Sequence, residues 1–127
     1  MRTAVLLFSA LLAACSSRPA APAAGPLPAA DTVQVIRLVQ VPGRFTDTAL
    51  SLKPGRYIFE MTNQGIGHEV GFYLRSAADE AGLPGTEAMG HITDGQTART
   101  GIVELGAGEY RYSCPLNPTP DFTLRVE

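Results

Sequence analysis

Three observations predict an all-β fold. Apolar and polar residues alternate at period two in successive short runs from Val33 onward, those runs are separated by Gly, Pro, Asn and Asp, and no long segment beyond the first residues keeps a helical period. Residues 31–127 are enough chain for one small domain and too few for two.

The elements follow in order. Val33 to Val41 is the first strand, with a change of phase at Val35-Ile36 that predicts a bulge or burial on both faces. Thr48 to Lys53 and Arg56 to Thr62 flank Lys53-Pro54-Gly55. There Pro54 presets φ, and Gly55 is expected to supply the positive φ of a type II turn. Tyr57, Phe59 and Met61 share one face, and Met61 reads as core filler. In the next strand His68, Val70, Phe72 and Leu74 are expected to point inward, with Glu69, Gly71, Tyr73 and Arg75 outward. A loop from Ser76 to Gly95 follows, with a helical turn near Ala77 to Ala81, and then a strand from Gln96 to Leu105. After the turn in Gly106-Ala107-Gly108, Tyr110, Tyr112 and Cys114 fall on one side. Three prolines between Pro115 and Pro120 then interrupt the ladder, and Asp121 to Val126 closes the domain with Phe122, Leu124 and Val126 inward.

The chain ahead of this domain reads as an export signal. Arg2 precedes an apolar stretch, Ala4 to Ala14, too short for a permanent membrane helix. Leu12-Ala13-Ala14-Cys15 resembles the lipobox of bacterial lipoproteins. This implies a signal peptide over residues 1–14, a lipid on Cys15 and a periplasm-facing anchor in the cell envelope. Ser16, in place of the aspartate that retains lipoproteins at the inner membrane, favours the outer one. Residues 15–30 carry the lipidated cysteine and a Pro/Ala-rich tether that clears the domain from lipid or lets it meet a periplasmic protein partner. The formal net charge is −2, with no basic run, so nucleic acid is excluded as a partner. With Cys15 lipidated, Cys114 is the one remaining thiol and has no disulfide partner in an oxidising compartment.

An inward histidine soon after Asn63-x-Gly65, and a late Gly108-Glu109-Tyr110-Arg111-Tyr112-Ser113-Cys114 ahead of a prolyl loop and a final strand, resemble the cupredoxins, the family of plastocyanin and azurin. The resemblance covers most of residues 31–127 and implies a Greek-key antiparallel β-sandwich in which His68 and Cys114 meet at one end. A blue-copper site needs two imidazoles and a thiolate with a weak axial thioether. His68 and Cys114 match two of these positions, but Asn117 stands at the second histidine and Phe122 near the methionine. A standard site is therefore not expected. Met89 and His91 are candidate further ligands for copper in a degenerate site, which points to copper binding or handling rather than rapid electron transfer.

Plainer readings stand beside each residue. His68 can be a strand-end histidine bonded to a loop carbonyl, Cys114 a small core residue, His91 a polar loop residue, and the whole a metal-free interaction module of the same fold. Enzymatic use of Cys114 as a nucleophile activated by His68 is not expected. No acid orients the imidazole, and Pro115 has no N–H for an oxyanion hole.

Overall fold

The computed structural model describes residues 32–86 and 91–127. The signal, Cys15, the tether and Met89 lie outside the described residues. Nine strands form among those described: β1 Val33–Val41, β2 Arg44–Phe45, β3 Ala49–Leu52, β4 Gly55–Asn63, β5 Tyr73–Ser76, β6 Thr97–Arg99, β7 Val103–Leu105, β8 Gly108–Ser113 and β9 Phe122–Val126. They make two sheets. One runs β2-β1-β4-β6 with β7 also on β4, and the other runs β3-β9-β8-β5.

The sandwich is mixed rather than antiparallel, which corrects the expectation. β1 lies parallel to β4 and β3 parallel to β9, while the remaining pairs are antiparallel. The cause is connectivity. The chain leaves β1, crosses to the other sheet as β3 and returns as β4 in the direction in which it first ran, a Greek-key path without a hairpin between β1 and β4.

The core follows the alternation. Tyr57, Phe59 and Met61 of β4 are buried with Leu38 of β1, Val103 and Leu105 of β7, Tyr112 of β8 and Leu124 and Val126 of β9. Phe45, Phe72, Tyr112 and Phe122 pack edge to face or tilted, with centroids 5.1 to 6.3 Å apart. On the outer face Glu60 joins two neighbouring strands. Arg37 Nε donates to its Oε1 at 3.1 Å and Arg99 Nε to its Oε2 at 2.6 Å. The Arg99 hydrogen bond, with help from Arg37, holds the Glu60 carboxyl below its ordinary range.

Local expectations met three further corrections. β1 has no bulge, since its register runs unbroken from Val33 opposite Arg56 to Gln40 opposite Asn63. Gly55 does not adopt a positive φ. It opens β4, and the turn is held by the Tyr57 hydroxyl donating to the Lys53 carbonyl at 2.6 Å. The strand expected over Gln96 to Leu105 is broken after Arg99, because Gly101 N–H turns away to the Gly85 carbonyl at 2.8 Å. A side chain at Gly85, with φ +91, would place Cβ 2.7 Å from the Ile102 carbonyl oxygen, so only glycine fits this crossing. At the start of the loop after β5 a turn forms, closed by Glu80 N–H on the Ser76 carbonyl. Arg75 ties that turn to the final strand by pairing with both Glu80 and Asp121.

Candidate functional site: the thiol pole

β8 carries Tyr112 inward, Cys114 directly after its end keeps the same phase, and the thiol is fully buried at one end of the sandwich. Its sulfur accepts two main-chain hydrogen bonds, from Gly71 N–H and from Asn117 N–H, each at 3.3 Å. The prolyl loop is wound tightly about it. Cys114 N–H donates to Thr119 Oγ1 at 2.9 Å, and Thr119 N–H returns to the Cys114 carbonyl at 3.4 Å.

Three buried carboxamides pack this pole, and two of them, Gln40 and Asn63, face each other in register at the ends of β1 and β4. Gln40 Nε2 donates to the Gly71 carbonyl at 2.6 Å, and Asn117 Nδ2 donates to Gln40 Oε1 at 3.3 Å. With the two bonds on sulfur this closes a ring: Cys114, Gly71, Gln40, Asn117 and back to Cys114. Asn117 also donates to the Val41 carbonyl at 3.0 Å and accepts Gly43 N–H at 2.8 Å on Oδ1. The residue at the family's second histidine position is thus a structural fastener between the prolyl loop and the β1–β2 turn. Asn63 Nδ2 donates to the carbonyls of His68 and Ile92 at 2.8 and 2.9 Å.

His68 does not join the core stripe. Val70, Phe72 and Leu74 are buried as expected, and Tyr73 is exposed, but His68 is exposed at the end of a turn in which Gly65 and Gly67 take positive φ. Asp94 Oδ1 accepts the N–H groups of Gly65 and Ile66, and Asn63 draws the His68 carbonyl inward, so the imidazole is left outside. Its Nδ1–H donates to the Glu69 carbonyl at 2.9 Å, the plainer fate weighed for it. The residue that touches the thiol from this segment is Gly71, which is buried rather than outward. His91, at φ +60, is largely exposed and donates from Nδ1 to Glu69 Oε2 at 2.9 Å. Phe122 lies among rings, with centroids 5.6 Å from both Phe45 and Tyr112. Tyr112, next to the site along β8, donates its hydroxyl to the Asp47 carbonyl at 2.6 Å, and burial, aided by the Asp47 charge, pushes its pKa up to about 12.

Two solved structures are similar to this chain. Auracyanin B superposes with a TM-score of 0.59 at 19% identity, over 74% of this chain and 88% of that one. A reduced Cu(I) form of an amicyanin variant gives 0.50 at 22%, over 73% and 82%. The described domain has the cupredoxin fold. No family model and no curated protein matches the chain.

The residues of this cupredoxin-like domain do not fit a type 1 copper. Asn117 is committed to four hydrogen bonds, Phe122 offers no donor, and both described imidazoles sit on the surface with Nδ1 engaged. Among the described residues no group of three or more His, Cys, Asp or Glu is placed to hold a metal. Gln40 and Asn63 were missed by sequence reasoning. The available signal was an amide side chain at an inward phase of an otherwise apolar strand end, which demands buried partners.

Proposed function

We propose that this protein is a metal-free cupredoxin-fold interaction module, held on the periplasm-facing side of a bacterial envelope membrane by a lipid on Cys15 and without catalytic activity. The observation that supports it is the closed ring at the thiol pole. The sulfur is held by two N–H groups, the position that the resemblance gives to a second histidine is a carboxamide fastening the loops, and both described imidazoles lie on the surface away from it.

Connectivity fits this use. β1 begins at Val33 and ends at the thiol pole, where Val41 and Gly43 meet Asn117, so the tether joins the domain at the opposite end. A lipid at Cys15 would then attach the chain through the end of β1 remote from the thiol pole, leaving that pole free for a periplasmic partner. Leu116, exposed at that pole, is an apolar contact such a partner would cover.

Copper handling through Cys114 with His68, His91 or Met89 is the competing use. It requires the Gly65–Gly67 turn to refold so that an imidazole reaches the sulfur. Anaerobic Cu(I) competition against a chelator of known affinity separates the two readings. The module binds no Cu(I) stoichiometrically, whereas tight binding lost in Cys114→Ser would defeat it.

A further inference from the structure

β1 is an edge strand whose outer side is only partly used. β2 pairs with Gln40 and Val41, and Thr46 N–H reaches the Val39 carbonyl at 2.9 Å, while no strand among the described residues pairs with Val33 to Arg37 on that side. Successive residues of a strand turn their N–H and C=O groups to alternate sides. Gln40 gives its carbonyl to Gln64 beyond β4, and Val39 gives its own to the β2 side, so Val33, Val35 and Arg37 aim theirs at the open edge. Natural edges are guarded by proline, a bulge, shortness or a free charge. None of these guards this stretch. Its one charge, Arg37, is drawn over the sheet face by Glu60.

We propose that a second copy of this chain covers the edge, β1 pairing antiparallel with its mate about a two-fold axis at Val35. In that register Val33 opposes Arg37 of the other copy, Val35 opposes Val35, and every open N–H and C=O of Val33, Val35 and Arg37 is paired. The fit is closed at both ends. The mate's strand starts at Val33, opposite Arg37, and β2 takes over the edge from Val39, so β2 is not displaced. The two Arg37 side chains stand four residues apart along the strands, about 13 Å, and no like charges are opposed. Val35, 39% exposed on the outer face, meets its own copy.

The chain's own preceding segment is a poor occupant. Pro19, Pro22, Pro26 and Pro28 lack the N–H donors a pairing strand needs. Antiparallel strands put the two chain starts at opposite ends of the junction. Residues 16–30 span on the order of 45 Å when extended, more than the roughly 17 Å of paired strand, so both anchors reach one leaflet. The proposal is independent of the reading of the thiol pole and stands whether or not Cys114 holds a metal.

Val35→Cys in the full chain tests it in the envelope. Directly opposed residues of a hydrogen-bonded antiparallel pair lie about 5.5 Å apart at Cα, within disulfide range. Val35→Cys should give a disulfide-linked dimer on a non-reducing gel, and Ser51→Cys, exposed on β3, should not. Full-length wild type in detergent should sediment as a dimer with a melting temperature that rises with protein concentration, and Val35→Lys as a monomer that still melts cooperatively but without that concentration dependence. Monomeric wild type at every concentration tried, or no more linked dimer from Val35→Cys than from Ser51→Cys, overturns the proposal.

Discussion

Asn117 N–H and Cys114 Sγ lie 3.3 Å apart, and the same asparagine's Nδ2 reaches Gln40 Oε1 at 3.3 Å. One residue therefore satisfies the thiol with its backbone and fastens β1 with its side chain, where the family resemblance places a histidine. The arrangement is self-consistent without a metal.

Asn117→Ala should destabilise the domain by about 1–3 kcal/mol, because it strands the buried Gln40 Oε1 and removes the acceptor of the Gly43 N–H. Asn117→His should cost a similar amount and remain colourless with Cu(II), since the sulfur still lacks a second imidazole. Urea unfolding and a visible spectrum check both.

The Cys114 thiol should react with a maleimide only as the domain unfolds, because no part of it is exposed. Cys114→Ser should lower stability by about 1–2 kcal/mol, the hydroxyl being too short to hold both N–H donors. Labelling rates across a urea series, measured against the unfolding curve, test this. Fast labelling of the native protein would show the pole to be open.

Tyr112 should make the protein sensitive to alkali. Its pKa in the fold is about 12, against about 10 in the unfolded chain. Between those values the unfolded state has released the proton and the folded state has kept it, so stability is full below about pH 10 and falls as the pH rises toward 12. A late phenolate absorbance step should accompany this fall, and Tyr112→Phe should remove both while losing about 1 kcal/mol with the Asp47 hydrogen bond.

Cys15→Ser should abolish lipid attachment and move the protein from the membrane to the soluble envelope fraction. Persistent acylation of the variant would contradict the lipobox reading. Wild type without lipid would do the same.

Much of the fold was legible because the strands alternate cleanly. β1 and the inward phase of Tyr57, Phe59, Met61, Tyr112 and Cys114 follow from local pattern alone. The parallel β1–β4 pairing was not legible, since pairing across a crossover leaves no trace in the spacing of either strand. His68 was misplaced because period two was extended one step too far, into a turn that Gly65, Gly67 and the Asp94 carboxylate wind outward. The candidate site was half legible. The thiol could be read from the segment that carries it, but the ring that holds it joins Gln40, Gly71 and Asn117 from three separate segments. A buried amide announces that it needs partners without saying which.

The central claim is that the buried thiol is held by protein donors and has no imidazole beside it to complete a metal site. Anaerobic Cu(I) titration against a chelator of known affinity, on wild type, Cys114→Ser, His68→Ala and His91→Ala, tests it most directly. The account predicts that all four compete equally poorly, with no stoichiometric binding in any. Tight one-to-one binding by wild type, lost in both Cys114→Ser and His68→Ala, would contradict it.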